Sequence, residues 1–342
     1  MCFMDIEIRE EPEILQNARD KNIKTIIAVA QEFSKRNIRK IVLAARGSSD
    51  HAGVYFKYLS EIVLGIPVSL SAPSVVTMYD GKLDLSDTLT IGVSQSGEAK
   101  DVLAVIERAN NQHAVTVSLT NDPTSPLATK AAYHLDLSAG IEKSVAATKT
   151  FIAEMYLLAL FVKELSGSPE LAQEMEMLPE LLENVLELDQ KIAVLAAKLE
   201  DMEDCFVIGR GLSDAIALEI ALKLQETSYV RAFGYATSDF RHGPFALVDK
   251  GSVAIILALE DETFPDSEDM VKRLNEAKAR IVVFTDNADF PVSDKIVLPK
   301  SGKYTKPFLF AAAGQLFSLY LAKAKGLNPD NPRNLKKVTI TR

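Results

Sequence analysis

One stretch of the chain occurs twice. Ile41-Val42-Leu43-Ala44-Ala45-Arg46-Gly47-Ser48-Ser49-Asp50 resembles Cys205-Phe206-Val207-Ile208-Gly209-Arg210-Gly211-Leu212-Ser213-Asp214, with Arg, Gly, Ser and Asp recurring 164 residues apart. At about that offset the apolar run 90–93 lines up with 254–257, and 114–119 with 280–284. Such a repeat, built from short β-rich runs that alternate with helical stretches, points to two similar α/β lobes related by internal duplication. Each lobe is expected to be a parallel sheet covered by helices on both faces. In the first, strands are expected over 40–45, 67–70, 88–93, 114–119 and 133–137.

At 342 residues the chain exceeds what a single core usually organises, in keeping with two lobes. The expected boundaries are a first lobe over 1–167, connecting helices over 168–203, a second lobe over 204–328 and a tail over 329–342. The connector is rich in Leu, Glu, Ala and Met at helical spacing, and its acidic residues read as a solvated face.

Composition narrows the partners. Apolar residues make up 47% and charged residues 25%, the profile of a folded globular chain. A net charge of −9 without any Lys/Arg block argues against nucleic acid, which needs a clustered basic face. A small anion needs no such face, because backbone N–H groups and hydroxyls at a helix start can hold it. Cys2 and Cys205 lack metal-ligand spacing, so neither a disulfide framework nor a metal site is expected. There is no signal-peptide core at the start, and no apolar run approaches the ~20 residues of a membrane span, so a cytoplasmic chain without membrane contact is expected.

In parallel α/β sheets, ligands bind beyond the carboxyl ends of the strands. Two loops suit an anion there: Gly47-Ser48-Ser49-Asp50 after the first strand, and Ser94-Gln95-Ser96-Gly97-Glu98 after the third. Ordinary N-capping by Ser and Asp is the competing explanation. The repeat supplies a control, for the second copy reads Leu257-Ala258-Leu259-Glu260-Asp261, acidic and without hydroxyls. A mere cap should have been kept in both copies, so one phosphate site, in the first lobe, is expected. A dinucleotide fold is not supported by Gly209-Arg210-Gly211, since Asp214 stands where the third glycine should be.

Six motifs in order resemble the double-lobed members of the sugar isomerase (SIS) family: the isomerase half of glucosamine-6-phosphate synthase and the stand-alone deaminases of amino-sugar phosphates. They are the Arg46 to Gly53 and Ser94 to Glu98 strings, Glu142-Lys143-Ser144-Val145-Ala146-Ala147-Thr148-Lys149, Ala221-Leu222-Lys223-Leu224-Gln225-Glu226, Arg241-His242-Gly243-Pro244 and Asn331-Pro332-Arg333-Asn334-Leu335-Lys336-Lys337. The resemblance implies two doubly wound, flavodoxin-like lobes. It implies that Ser49, Ser94, Gln95 and Ser96 bind a sugar phosphate, with Gly47, Ser48, Val145, Ala147 and Lys223 also lining the site. It further implies that Glu226 moves a proton between C1 and C2, that His242 assists ring opening, and that Lys337 lies in a tail closing the site. The family's histidine comes from a neighbouring subunit, which implies a homodimer with a shared site.

Aldose–ketose rearrangement is compatible with these roles, because one carboxylate reaching both carbons suffices and no metal or redox cofactor is obligatory. Without the resemblance, Lys223 and Glu226 would read as a surface ion pair three apart on a helix, and Lys337 as a solvated charge. Arg46, Ala99 and Ala147 depart from the synthase pattern of a small residue, a threonine and a serine. The string from Arg46 to Gly53 is closer to the deaminase branch. Cys2 is followed by Phe3, and Glu11-Pro12 leads into the first lobe, so no glutaminase domain is expected. The expected reaction is therefore deamination of glucosamine 6-phosphate to fructose 6-phosphate and ammonia. A deglycase or isomerase of another phosphorylated amino sugar (galactosamine or fructosyl-amino-acid phosphate) and a non-catalytic sugar-phosphate regulator remain as alternatives.

Overall fold

The computed structural model describes residues 2–337. Among the described residues, ten strands form two five-stranded sheets, all pairings parallel. The first holds β1 (Ile41–Ala44), β2 (Val68–Leu70), β3 (Leu89–Val93), β4 (Val115–Thr120) and β5 (Tyr133–Asp136) in the order β2-β1-β3-β4-β5. The second holds β6 (Asp204–Gly209), β7 (Arg231–Ala236), β8 (Val253–Ala258), β9 (Arg280–Thr285) and β10 (Lys295–Val297) in the order β10-β9-β8-β6-β7. Counted from its own first strand, each sheet therefore runs 2-1-3-4-5, the doubly wound order, and the duplication read from the sequence is present in the topology. The central strands explain themselves. Every residue of β3, β4 and β8 is buried, as a strand covered on both faces requires.

Two compact units follow, though not consecutively along the chain. One, with the first sheet, takes Glu13–Glu142, Lys149–Gln173 and 336–337 of the described residues; the other, with the second sheet, takes 2–12, Lys143–Thr148 and Glu174–Leu335. The helices expected as a connector are thus divided, Gln173 going with the first sheet and Glu174 with the second.

In the first-sheet unit, helix Lys100–Asn111 buries Val102, Val105, Ile106 and Ala109 on one stripe, packing with Ala44, Leu85 and Leu127. Gly92 in β3 permits the close approach, since a Cβ there would meet Ile106 at 2.9 Å and Leu127 at 3.1 Å. Helix Lys149–Ser166 is buried from Lys149 through Val162, apolar almost all round as a central helix should be. In the second-sheet unit, Phe206, Phe240 and Phe290 sit in a core with Ile256, Met270 and Val283. Among the described residues no helix is long and apolar enough to cross a membrane.

The second-sheet unit also gathers distant pieces of chain. Helix Phe3–Arg9 has no side-chain cap from Cys2; the Asp330 carboxylate instead accepts the N–H groups of Phe3 at 2.6 Å and Met4 at 2.9 Å. Asp5 pairs with Arg9 and Lys323, and Arg9 reaches Asp189. Glu174 corrects the expectation of a solvated acidic face. It is buried, and its carboxylate accepts from Tyr304 N–H and Thr305 N–H, each at 3.0 Å, and from Thr305 Oγ1 at 3.1 Å. Removing that acceptor strands two buried amides, each costing about 1–3 kcal/mol. Glu174→Ala is expected to shift the urea transition by an amount equivalent to about 2–4 kcal/mol. An unshifted midpoint would show that this carboxylate does not organise residues 302–305.

Candidate sugar-phosphate site

The doubly wound order fixes where a ligand can enter the first-sheet unit. β1 lies between β2 and β3, so the crossovers from β1 and β3 leave to opposite sides and open a crevice beyond the two carboxyl ends. Ala44 of β1 is in register with Gly92 of β3, which brings the loop beginning at Arg46 beside the loop beginning at Ser94. The two hydroxyl loops singled out in the sequence are thus neighbours.

The Ser94 loop is a turn closed on itself. Gly97 N–H donates to Ser94 carbonyl at 3.0 Å and to Ser94 Oγ at 3.2 Å, and Glu98 N–H donates to Ser96 Oγ at 3.3 Å. Both hydroxyls therefore accept a backbone proton, which leaves their own protons to point outward as donors. Gln95 ties the turn to β4 through its carbonyl, which accepts from Asn121 N–H at 2.9 Å. Gly97 has φ +67°, and a Cβ there would overlap the Ser125 side chain, so glycine is required twice over. None of Ser94, Gln95 and Ser96 caps the following helix. Its N-cap is Ala99, without a side-chain cap, and the first-turn amide of Val102 is taken by the buried Asp101 carboxylate at 3.0 Å, so the loop hydroxyls are not spent on capping.

At the β1 end, Gly47 adopts φ +56° and its carbonyl receives the N–H groups of Asp50 and His51, starting helix Ser48–Leu64. Ser49, expected among the phosphate ligands, donates to the buried Glu154 Oε1 at 2.9 Å; its hydroxyl must turn to serve a ligand. Arg46 Nε donates to Asp101 Oδ2 at 2.7 Å. Burial holds the Asp50 carboxyl above the usual range, opposed by the charges of His51 and Arg46. Lys337, also in this unit, pairs its amine with Glu142, whose carboxylate accepts from Thr150 N–H at 3.2 Å and Thr150 Oγ1 at 2.9 Å. The expected tail lysine is anchored rather than solvated, and its partner Glu142 carried no role in the sequence reading.

The acid–base candidates lie in the second-sheet unit. Helix Asp214–Ser228 places Glu219, Lys223 and Glu226 at i, i+4 and i+7, one face of the helix. Lys223 Nζ stands 3.3 Å from Glu219 Oε1 and 2.6 Å from Glu226 Oε2. This is no surface pair: the Lys223 and Glu219 side chains are each 1% exposed, and Glu226 19%. Burial alone would lower the ammonium's pKa, but the two carboxylate charges outweigh it and hold Lys223 protonated well above the usual lysine range. A buried cation thus steadies a carboxylate that still reaches the surface. Glu219 was missed in the sequence, although its i, i+4 spacing to Lys223 could have pointed to it.

Val145 and Ala147, half-buried, belong to this unit as well, in a short segment whose Lys143 and Ser144 amides donate to the buried Glu7 carboxylate. His242 follows helix Thr237–Arg241, its N–H closing on Asp239 carbonyl at 3.0 Å, and its side chain is exposed next to Gly243 at φ +157°.

Known proteins share this fold. The chain is 36% identical over 358 residues to glutamine–fructose-6-phosphate aminotransferase [isomerizing] of Clostridium tetani, a match covering 99% of the chain and 59% of that relative. The chain therefore spans about three fifths of the length of the curated relatives it matches. Among solved structures, the C-terminal domain of glucosamine-fructose-6-phosphate aminotransferase from Francisella tularensis superposes with a TM-score of 0.85 at 27% identity, covering 96% of this chain and 98% of that one. Glucosamine-6-phosphate deaminase from Thermotoga maritima shares the fold, with a TM-score of 0.77 at 22% identity over 99% and 100% of the two chains. The SIS domain model matches twice, over residues 34–163 and 198–322, once for each sheet, and the chain belongs to the SIS domain family.

Proposed function

We propose that the chain is an enzyme of amino-sugar phosphates that isomerises glucosamine 6-phosphate and releases its nitrogen as ammonia. The observation that carries the reading is the Glu219-Lys223-Glu226 row, a carboxylate at the surface steadied by a buried ammonium. A carboxylate so placed is suited to taking a proton from C2 of the open-chain aldehyde and returning it to C1. The C1 carbonyl becomes an alcohol and C2 a ketimine. Water then adds to C2 and ammonia departs, leaving fructose 6-phosphate. Ser94, Gln95 and Ser96, with Gly47, Ser48 and Ser49 across the crevice, hold the phosphate; Val145 and Ala147 line the sugar's path, while Lys223, buried, acts only through Glu226 rather than touching the sugar as expected from the resemblance. Lys337 closes the site from the tail. The deaminating direction is favoured by the string from Arg46 to Gly53, which resembles that branch of the family.

His242 is exposed in this single chain, as a side chain lent to a second copy would be. The enzyme is accordingly read as a homodimer whose sites each combine Glu226 of one copy with His242 of the other.

With glucosamine 6-phosphate as substrate and coupled detection of ammonia, Glu226→Gln is expected to lower kcat by about 100- to 10,000-fold, the usual span for removing a general base. Normal turnover by that variant would eliminate the mechanism. Ser94→Ala and Ser96→Ala should each raise KM about tenfold with a smaller effect on kcat, the scale of one hydrogen bond to a charged group. A purely structural loop would lower stability and leave KM alone.

Subunit sharing has its own test. Inactive Glu226→Gln and His242→Ala proteins, unfolded and refolded together, should recover about a quarter of wild-type activity, because half the random dimers carry one intact site. Failure to complement would place both residues in one chain's site.

A further inference from the structure

Resting on the phosphate site just proposed, we infer that Arg46 is a direct ligand of the substrate's anion, and that Asp101 is the positioning residue that aims it. The strand register sets Ala44 opposite Gly92, so two residues further along Arg46 stands beside Ser94, across a strand spacing of about 4.8 Å. Its side chain is 48% exposed, while that of Asp101, in the first turn of helix Lys100–Asn111, is 1% exposed. The bond runs from Nε to Asp101 Oδ2 at 2.7 Å. A carboxylate that grips the guanidinium by its Nε edge leaves the opposite Nη edge turned outward, and that planar fork matches two phosphate oxygens. The Ser94 loop supplies only neutral donors, so Arg46 adds the full positive charge that a dianion favours in a chain of net charge −9.

The duplication shows what this pair does without a ligand. In the second-sheet unit Arg210 Nε lies 3.3 Å from Asp266 Oδ2, at the same topological place: end of the first strand to first turn of the helix after the third. The Arg–Asp tie therefore belongs to the lobe. What differs is its surroundings. Asp266 also takes Arg241 Nη1 at 3.1 Å, and the neighbouring loop offers Glu260 and Asp261 where the first lobe offers hydroxyls. An anion would be repelled beside Arg210 and welcomed beside Arg46. This arginine thus marks a selection for doubly charged phosphate esters over uncharged sugars.

Calorimetric titration with fructose 6-phosphate, and with fructose as the uncharged control, tests this. Arg46→Ala should weaken fructose 6-phosphate binding by about 10- to 100-fold, the scale of a lost charged fork, and leave fructose unaffected. Arg46→Lys, which keeps charge but not the fork, should fall between. Arg210→Ala, the same truncation in the other lobe, should bind as wild type does. Because Arg46→Ala leaves a buried carboxylate without its partner, the Arg46→Ala/Asp101→Asn protein removes both charges and stays measurable. If Asp101 acts by aiming Arg46, the double variant binds no more weakly than Arg46→Ala; additive losses would refute the positioning role. Binding by Arg46→Ala within twofold of wild type would overturn the inference and leave the phosphate site standing. Absence of any fructose 6-phosphate binding by the wild-type protein would overturn both.

Discussion

In each sheet the first strand lies between the second and the third, and that order governs where an anion can be held. Neighbouring crossovers depart to opposite faces, so no helix covers the gap above β1 and β3, and the backbone N–H groups of the loops and helix starts there have no strand to pair with. Everything assigned to ligand binding in the first-sheet unit descends from that unfilled gap. The Ser94 turn spends its own N–H groups on orienting hydroxyls, the helix start is served by Asp101 rather than by those hydroxyls, and Arg46 rises beside them because Ala44 and Gly92 are in register.

The second sheet has the same gap and treats it differently. Carboxylates stand where the first copy has hydroxyls, and charged groups are matched internally: Arg210 and Arg241 with Asp266, Lys306 with Asp286 at 2.6 Å. The two lobes thus differ at the same switch point: one presents hydroxyls and the other carboxylates matched by its own cations. On the helix Asp214–Ser228 of the second lobe, a fully buried ammonium sits between two carboxylates of unequal exposure. Replacing either carboxylate would leave that ammonium short of charge in a medium that tolerates it poorly, which explains why the row is held together.

Much of the fold was legible because parallel strands buried on both faces appear as apolar runs, and because a repeat doubles every such signal. Strands expected over 88–93 and 133–137 lie within a residue of β3 and β5. The partners of charged side chains were harder to see. Lys337 finds Glu142, Arg46 finds Asp101 and Glu174 finds Thr305 across 55 residues or more, and no periodicity connects such positions. For the same reason the acidic stretch after 168 read as solvated, although one of its carboxylates holds a distant loop. Glu219 was also missed, although one helical turn separates it from Lys223 and spacing alone could have exposed the pair. The interruption of each unit by short segments of the other also left no mark in composition.

The helix Phe3–Arg9 takes its first amides' acceptor from Asp330 and one of its ion pairs from Lys323. On a ribosome this helix emerges 318 to 327 residues ahead of those partners, some tens of seconds at about 5–20 residues per second. A segment of seven residues cannot persist as a helix alone in water for that interval. Meanwhile Glu13–Glu142, carrying the whole first sheet, is already outside the tunnel. During synthesis the helix Phe3–Arg9 therefore docks only once Lys323 and Asp330 have arrived to receive it.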